Sequence, residues 1–477
     1  YLLQQMELAS TTYNMPYIIS LVEGFDKLKI EEVFRQLILR HESFRTSFVI
    51  YGEDPVQLIH DQVSFTIEEE TITKEDLEYK RDQFIQCFDL SQAPLLRVSI
   101  LNIKGGSSFL LIDMHHIISD GVSHGILERE FRQLYSGEKL PSLKIQYKDY
   151  SEWQNSKEQQ EEIKGQESYW LNQLEGELPV LDLPIDYVRP VIQSHEGATV
   201  SFVLSKEETG VIKSLAEENG LTLYMSVLSV FTILLSKLSG QEDIIIGSPI
   251  AGRNHVDLED IVGMFVNTLA IRNEVQGGDT LEVFLEKLKQ TTIDAFDNQD
   301  YQFEDLVEKV SVNRDISRNP IFDVMFNLLN QGDYEGDLST FNNKRLVHTP
   351  GISKFDLSLT ASDYGEQLML SFEYCSDLFK SETIDRFINY FKQIVYQLRD
   401  THDEKLSMIE IITKEEKQQL LYEFNDTQKD YPKEKTIHGL FEEQVEKTPN
   451  RIALVKGGEC LTYQELNHRA NQLAHYL

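Results

Sequence analysis

Apolar positions change period several times along the chain. Ile30, Val33, Phe34, Leu37 and Ile38 recur at the spacing of an amphipathic helix. Val63, Phe65 and Ile67 then alternate with Ser64 and Thr66, which predicts a half-buried strand. Phe109-Leu110-Leu111-Ile112 is a short apolar run suited to a buried strand. Ile126, Leu127, Phe131, Leu134 and Tyr135 form the next helical face, and Gly137 follows in a C-cap position. A loop over about residues 113 to 121 is left between the two. This is a mixed α/β pattern.

From about residue 151 to 189 the composition shifts to Glu and Gln and then acquires Pro179, Pro184 and Pro190, the chemistry of a crossing segment. A boundary is expected near residue 180. Beyond it, Thr222 caps a long apolar helix reaching Leu238 with Gly240 behind it, followed by the strand Ile244-Ile245-Ile246 and a turn at Gly247-Ser248-Pro249. Asn425, Asp426, Lys429, Asp430 and Pro432 give linker chemistry. After it come a helix (Ile437, Leu440, Phe441, Val445), the strand Ile452-Ala453-Leu454-Val455 and a hairpin turn at Gly457-Gly458. About 40 residues are too few for an independent domain of this kind, so the tail reads as a fragment. The expected division is a first lobe over 1–180, a second over 181–425, a linker over 426–436 and the tail over 437–477.

Composition narrows the class of function. At 477 residues, more than one domain is expected. Lys plus Arg is 45 against 79 Asp plus Glu, a net charge of −34 that would repel a phosphate backbone. Nucleic acid is not an expected partner. Glu68-Glu69-Glu70 reads as a solvated edge. Cys87, Cys375 and Cys460 lie far apart without metal-ligand or disulfide spacing, which fits a reducing cytoplasm. No basic leader segment and no apolar run of about 18 residues occurs, so no membrane partner is expected. The chain starts without Met and stops inside a helical pattern, and it therefore reads as a piece of a longer one.

The segment richest in chemistry is Met114-His115-His116-Ile117-Ile118-Ser119-Asp120-Gly121, between the buried strand and the helix. Adjacent histidines in an extended loop point to opposite sides, so one faces a cavity while the other packs inward. Asp120 can fix the loop, and Gly121 permits a turn and close backbone approach. That arrangement suits a general base. A zinc site needs a third ligand, and none is evident nearby, so no metal is expected. Arg40, Arg45, Asp149 and Trp153 are read first as residues that hold the fold through ion pairs and packing. Gly105-Gly106-Ser107-Ser108 precedes an apolar strand and reads as a hairpin turn.

At the histidine segment the chain resembles the condensation domains of nonribosomal peptide synthetases, whose signature is HHxxxDG. Further motifs follow in the family's order. Arg40-His41-Glu42-Ser43-Phe44-Arg45-Thr46-Ser47-Phe48 resembles RHExLRTxF, and Tyr147-Lys148-Asp149-Tyr150-Ser151-Glu152-Trp153 resembles YxDYxxW. Val262-Gly263-Met264-Phe265-Val266-Asn267-Thr268 resembles VGxFVNT. Asn298-Gln299-Asp300-Tyr301-Gln302-Phe303-Glu304 resembles NQDYPFE with Gln302 in place of Pro, and Arg314-Asp315-Ile316-Ser317-Arg318-Asn319-Pro320 resembles RDxSRNP. The resemblance covers about residues 1 to 425, and the family's first motif, SxAQxRxxxL, is mostly missing. Leu461-Thr462-Tyr463-Gln464-Glu465-Leu466 resembles the opening motif of an adenylation domain that stops before any catalytic motif.

The resemblance implies two chloramphenicol acetyltransferase-like α/β lobes in a V-shaped pseudo-dimer, with the HHxxxDG loop facing a tunnel between them. It implies peptide-bond formation between a donor acyl or peptidyl thioester and the amine of an acceptor aminoacyl thioester. Both ride on phosphopantetheinyl carrier proteins, so the phosphopantetheine belongs to these partners and none is attached to this chain. An adjacent adenylation domain is the other implied partner. His116 is implied as the residue at the reacting amine, with His115 supporting the loop, and Asp120 as a structural residue paired with Arg253. Helix N–H groups after Gly121 are expected to favour developing negative charge. Epimerisation of a carrier-bound thioester shares the motif, but such domains end a module, whereas this chain runs on into LTYQEL. A non-catalytic recruitment module would be expected to carry a degraded motif. Heterocyclisation would replace HHxxxDG by DxxxxD. The wording MHHIISDGVS and Tyr13-Asn14-Met15-Pro16 leans toward an L-configured donor.

Overall fold

In a computed structural model the described residues are 1, 4–5, 10–21, 24–52, 54–310, 315–329, 341–346, 351–399 and 404–477, the backbone alone for 341–346. They divide into two compact units, Tyr1–Thr413 and Lys414–Leu477.

The larger unit begins with β1 (Tyr17–Leu21) and the Lys27–Arg40 helix, whose stripe Ile30, Val33, Phe34, Leu37 and Ile38 is buried. A hairpin of β2 (Thr46–Tyr51) and β3 (Asp54–Ile59) follows, then β4 (Glu68–Ile72), β5 (Leu96–Ile103) and β6 (Ser108–Met114). The apolar run in β6 is continuous because both of its faces are covered. Leu110, Ile112 and Met114 enter the core beneath the helices, while Leu111 joins Ile18, Ile72 and Leu101 on the other side.

Residues 62–67 are a departure from the expected strand. Ile67 is buried and Val63 and Phe65 are half-buried, but the segment is in no sheet. The alternation there records which side packs and not backbone pairing. The acidic residues Glu68, Glu69 and Glu70 instead lie in β4, an edge strand parallel to β5, where charge discourages pairing with another chain.

The chain crosses residues 174–196 with no helix or named strand. It then forms β7 (Gly197–Val203), β8 (Asp243–Ile250), β9 (Asn267–Glu274), β10 (Val324–Leu329), β11 (Phe341–Leu346), β12 (Leu357–Asp363) and β13 (Leu368–Cys375). Six of these build a second sheet in the order β7-β13-β12-β10-β8-β9. The Leu223–Ser239 helix, capped by Thr222 and ended by Gly240 at φ +70°, buries every residue from Met225 to Ser236. Gly247-Ser248-Pro249 continues β8 and makes no turn. A Cβ at Gly247 would lie 2.1 Å from the Phe322 ring, so a glycine serves there to let the ring pack on the strand.

The remaining strand, β11, goes elsewhere. It pairs antiparallel with β1, giving the first sheet the order β11-β1-β6-β5-β4. A cut near residue 180 therefore does not part the two sheets cleanly.

In the smaller unit, the Ile437–Lys447 helix is followed by a hairpin of β14 (Ile452–Lys456) and β15 (Glu459–Thr462), turned by Gly457 and Gly458 at φ 57° and 90°. The Tyr463–Tyr476 helix starts with a reciprocal cap between Thr462 and Glu465. This unit begins at Lys414, before the expected linker, and residues 424–436 contain no helix or strand. Among the described residues, no single helix is long and apolar enough to cross a membrane.

Candidate active site

β6 lies between β1 and β5 and delivers both histidines to the end of the first sheet. The His115 N–H donates to the Leu95 carbonyl at 3.0 Å, whereas the His116 N–H donates to the Tyr13 carbonyl at 2.8 Å. His115 is extended (φ −79°, ψ 136°) and caps a short 3-10 turn, His116–Ile118. The expected extended loop is thus shorter, and the two rings part because the chain turns after His115.

The His115 ring is buried against Phe88 and Tyr13, at centroid distances of 6.1 and 6.2 Å. Its Nδ1 accepts the Ile117 N–H at 3.0 Å, so Nε2 carries the proton and meets Gln4 Oε1 at 3.3 Å. Both ring nitrogens are occupied in holding the turn. Burial, helped by the charges of His116 and Lys354, pulls its pKa down to about 4.

His116 is half-buried. Burial first and the Lys354 charge second lower its pKa to about 4, against the opposing pull of Asp120 and the carbonyls of His116 and Ser119. A ring N–H engaged with those carbonyls leaves the other nitrogen as an acceptor. At neutral pH it is an uncharged imidazole.

Asp120 is fully buried and caps the Gly121–Ser136 helix, accepting the Ser123 N–H at 2.8 Å. Arg253 reaches it from beyond β8, with Nη1 donating to Oδ2 at 2.7 Å and Nη2 to Oδ1 at 3.1 Å. Asp120 Oδ2 also receives the Phe265 N–H at 3.1 Å, and the guanidinium lies 4.2 Å over the Phe265 ring. Ser123 Oγ donates to the Gly263 carbonyl at 2.9 Å and receives its N–H at 3.1 Å, while Ser43 Oγ donates to the Val262 carbonyl at 2.6 Å. A seam of buried hydrogen bonds therefore joins the histidine turn to the Val262–Phe265 backbone. Ser43 and Ser123 escape sequence reasoning because a serine beside a strong motif carries no signal of its own.

Gly121 departs from its expected reason. It is exposed, has no positive φ, and a Cβ would meet nothing within 4 Å. The helix end behind it is likewise not open to receive negative charge, since the Asp120 carboxylate already occupies it.

Arg40 donates to both Glu130 oxygens at 3.1 and 3.0 Å, and His41 Nε2 meets Glu130 Oε2 at 2.7 Å. Burial would raise the Glu130 carboxyl, but these partners hold it below its ordinary value. Arg45 donates to the carbonyls of Ile38 and His60, and Asp149 caps its own helix by accepting the Gln146 N–H at 2.8 Å. Trp153 is 52% exposed, with its ring against that of Tyr150 at a centroid distance of 5.8 Å. Tyr147 donates to the Met264 carbonyl at 2.7 Å, next to the seam. Asn267 donates to the carbonyls of Gln299 and Tyr301, joining two of the second-half motifs. Arg314 lies outside the described residues, while Arg318 of the same motif pairs with Asp323.

The condensation-domain family model matches residues 1–421. The chain is 48% identical over 480 residues to gramicidin S synthase 2 of Brevibacillus brevis, covering all of this chain and 11% of that protein. It is 45% identical over 477 residues to bacitracin synthase 3 of Bacillus licheniformis, covering 100% of this chain and 8% of that protein. It therefore spans only a small part of the length of these relatives. Among solved structures it resembles a four-domain nonribosomal peptide synthetase bound to AMP and glycine, with a TM-score of 0.84 and 23% identity over 100% of this chain and 38% of that one. It also resembles the X-domain from teicoplanin biosynthesis, with a TM-score of 0.76 and 21% identity over 84% of this chain and 93% of that one. The shared feature is the two-lobed, chloramphenicol acetyltransferase-like α/β fold.

Proposed function

The chain belongs to the condensation-domain family, and from that premise we propose that it joins a donor acyl or peptidyl thioester to the amine of an acceptor aminoacyl thioester. Both substrates arrive on phosphopantetheine arms of carrier proteins, one from each end of a tunnel between the lobes. We assign residues 1–180 and 181–425 to the two lobes, with β11 crossing back, and 437–477 to the start of an adenylation domain. The setting is a cytoplasmic assembly line with no nucleic acid or membrane partner.

The observation that carries this reading is an uncharged, half-buried His116 held at a turn that a buried seam fixes from both halves of the chain. A free α-amino group has a pKa of about 7.7 to 8.0, so on the order of a tenth is neutral at pH 7 and able to attack. An imidazole with a pKa near 4 accepts a hydrogen bond from that amine but holds a proton poorly. Each pKa unit is about 1.4 kcal/mol, which weights the role of His116 toward orienting the amine and passing its proton on. Orientation of two tethered substrates can itself supply several kcal/mol, up to about 7 to 11 in the best cases.

The test is intact-mass analysis after mixing the chain with separately loaded donor and acceptor carriers. A dipeptidyl acceptor carrier is the expected product. Solvent deuterium entering the α-carbon without bond formation would indicate epimerisation, and carrier binding without either change would indicate a recruitment module.

A further inference from the structure

We propose that the Lys354 ammonium stabilises the oxyanion that forms when the acceptor amine attacks the donor thioester, an inference that rests on the condensation reading above. The backbone of Lys354 is fixed just ahead of β12. Its carbonyl accepts from Gln193 Nε2 at 3.0 Å and Asn319 Nδ2 at 3.2 Å, and its N–H is given to the Glu373 carboxylate. From this anchor ahead of β12 the side chain reaches the turn that precedes β1, where Nζ stands 4.8 Å from the centroid of the Tyr13 ring. Tyr13 is the residue whose carbonyl holds the His116 N–H. One aromatic residue thus touches the ammonium with its ring and the histidine with its backbone.

Two other sources of positive charge at the seam are already engaged. Arg253 is neutralised by Asp120, and the Gly121–Ser136 helix end is capped by the same carboxylate. Lys354 is half-buried, and among the described residues no carboxylate lies within 4.0 Å of its Nζ. A sequestered cation is ordinarily paired, and one resting on an aromatic face keeps its field for an incoming anion. Its charge reaches both His115 and His116. Burial pulls the Lys354 pKa below its ordinary value and the charge of Glu373, in β13, opposes that pull, while the charge of Glu304 reaches Tyr13.

In the step itself, the amine lone pair forms the C–N bond and the carbonyl π pair moves onto oxygen, where the ammonium meets it. The oxyanion then collapses, breaking the C–S bond, and the sulfur leaves with the electron pair. The proton lost by nitrogen passes by way of His116 to that thiolate, so the products are an amide and a free thiol. No further reactant is needed.

The experiment is single-turnover bond formation with both carriers preloaded, comparing wild type with Lys354→Met and Lys354→Arg, alongside NMR titration of His115 and His116. Removing one oxyanion donor typically costs on the order of 10²- to 10³-fold in rate. Lys354→Met is expected to lose about that much with carrier binding kept, Lys354→Arg to recover most of it, and both histidine titrations to move upward in the Met variant. A Met variant condensing at the wild-type rate overturns the proposal. If that variant does not fold, Lys354→Gln replaces it: a slow Gln beside a restored Arg supports the assignment, whereas equal rates in the two overturn it. Wild type failing to join loaded substrates would instead remove the condensation reading.

Discussion

Arg253 grips both carboxylate oxygens of Asp120 at 2.7 and 3.1 Å, and the pair is almost wholly buried, with side chains 5% and 0% exposed. Asp120 ends the turn that carries His116, and Arg253 follows a strand of the other sheet, so one ion pair fixes the turn against the second half of the chain.

Breaking this pair strands a buried charge. Asp120→Ala and Arg253→Ala are each expected to lose about 3 to 5 kcal/mol of stability in urea titrations. The double substitution Asp120→Leu/Arg253→Met is expected to lose less than the two single changes together, because neither charge is then left alone. Strict additivity would count against the pair as the fixing element.

His116→Ala is expected to fold and bind carriers while losing roughly 10²- to 10⁴-fold of the bond-forming rate if proton transfer is a main contribution. His115→Ala is expected to act through stability, because both of its ring nitrogens hold the turn. The check is single-turnover kinetics at matched folded fraction. Full activity in the His116 variant would remove it from the mechanism.

Asp113 predicts a pH signature. It is fully buried at the end of β6, receives Asn14 Nδ2 at 2.8 Å, and is pushed up to about 7 by burial. Its folded pKa exceeds its unfolded value near 3.9, so its stabilising contribution is complete below that value and is lost as pH rises through about 7. His115 and His116 have depressed pKa values and contribute the other way, costing stability as pH falls from about 6.5 toward 4. The difference between wild type and Asp113→Asn removes that background. Wild type is expected to weaken relative to Asp113→Asn between pH 4 and about 8, and parallel stability curves would refute the assignment.

Two glycines near the site should respond oppositely to alanine. Gly252 has φ +63°, and its Cβ would lie 2.0 Å from the Phe265 carbonyl oxygen. Gly252→Ala is expected to cost more than the roughly 1 to 2 kcal/mol of the left-handed conformation and to displace Arg253. Gly121→Ala meets no protein atom within 4 Å and should hold stability within about 1 kcal/mol. Thermal melts compare the two. A slow but stable Gly121→Ala would show that the exposed site needs that space for substrate.

The helices around residues 30–38, 126–135 and 222–238 were legible through their own period and punctuation, as with Thr222, the buried run behind it and Gly240 at φ +70°, whereas Leu281–Asp297 and Ser381–Leu398 were not read. Residues 62–67 misled because packing side and backbone pairing leave the same alternation in a sequence. Gly247 misled because what excludes its side chain is Phe322, far along the chain. The histidine segment stood out through two uncommon neighbours, whereas Lys354 is an ordinary lysine until folding sets it over Tyr13. Local chemistry is written locally, and the partners that only the fold brings together are not.

The placement of β11 beside β1 also sets an order of events during synthesis. β1 can pair with β6 once Met114 has left the ribosome, but its other edge waits until Leu346 has done so. Pairing so distant in sequence is slow to form, and an open strand edge invites wrong partners in the meantime. The sheet that carries both histidines is therefore closed late, by a strand of the second half, and a nascent chain stalled before that point exposes the edge of β1 to its neighbours.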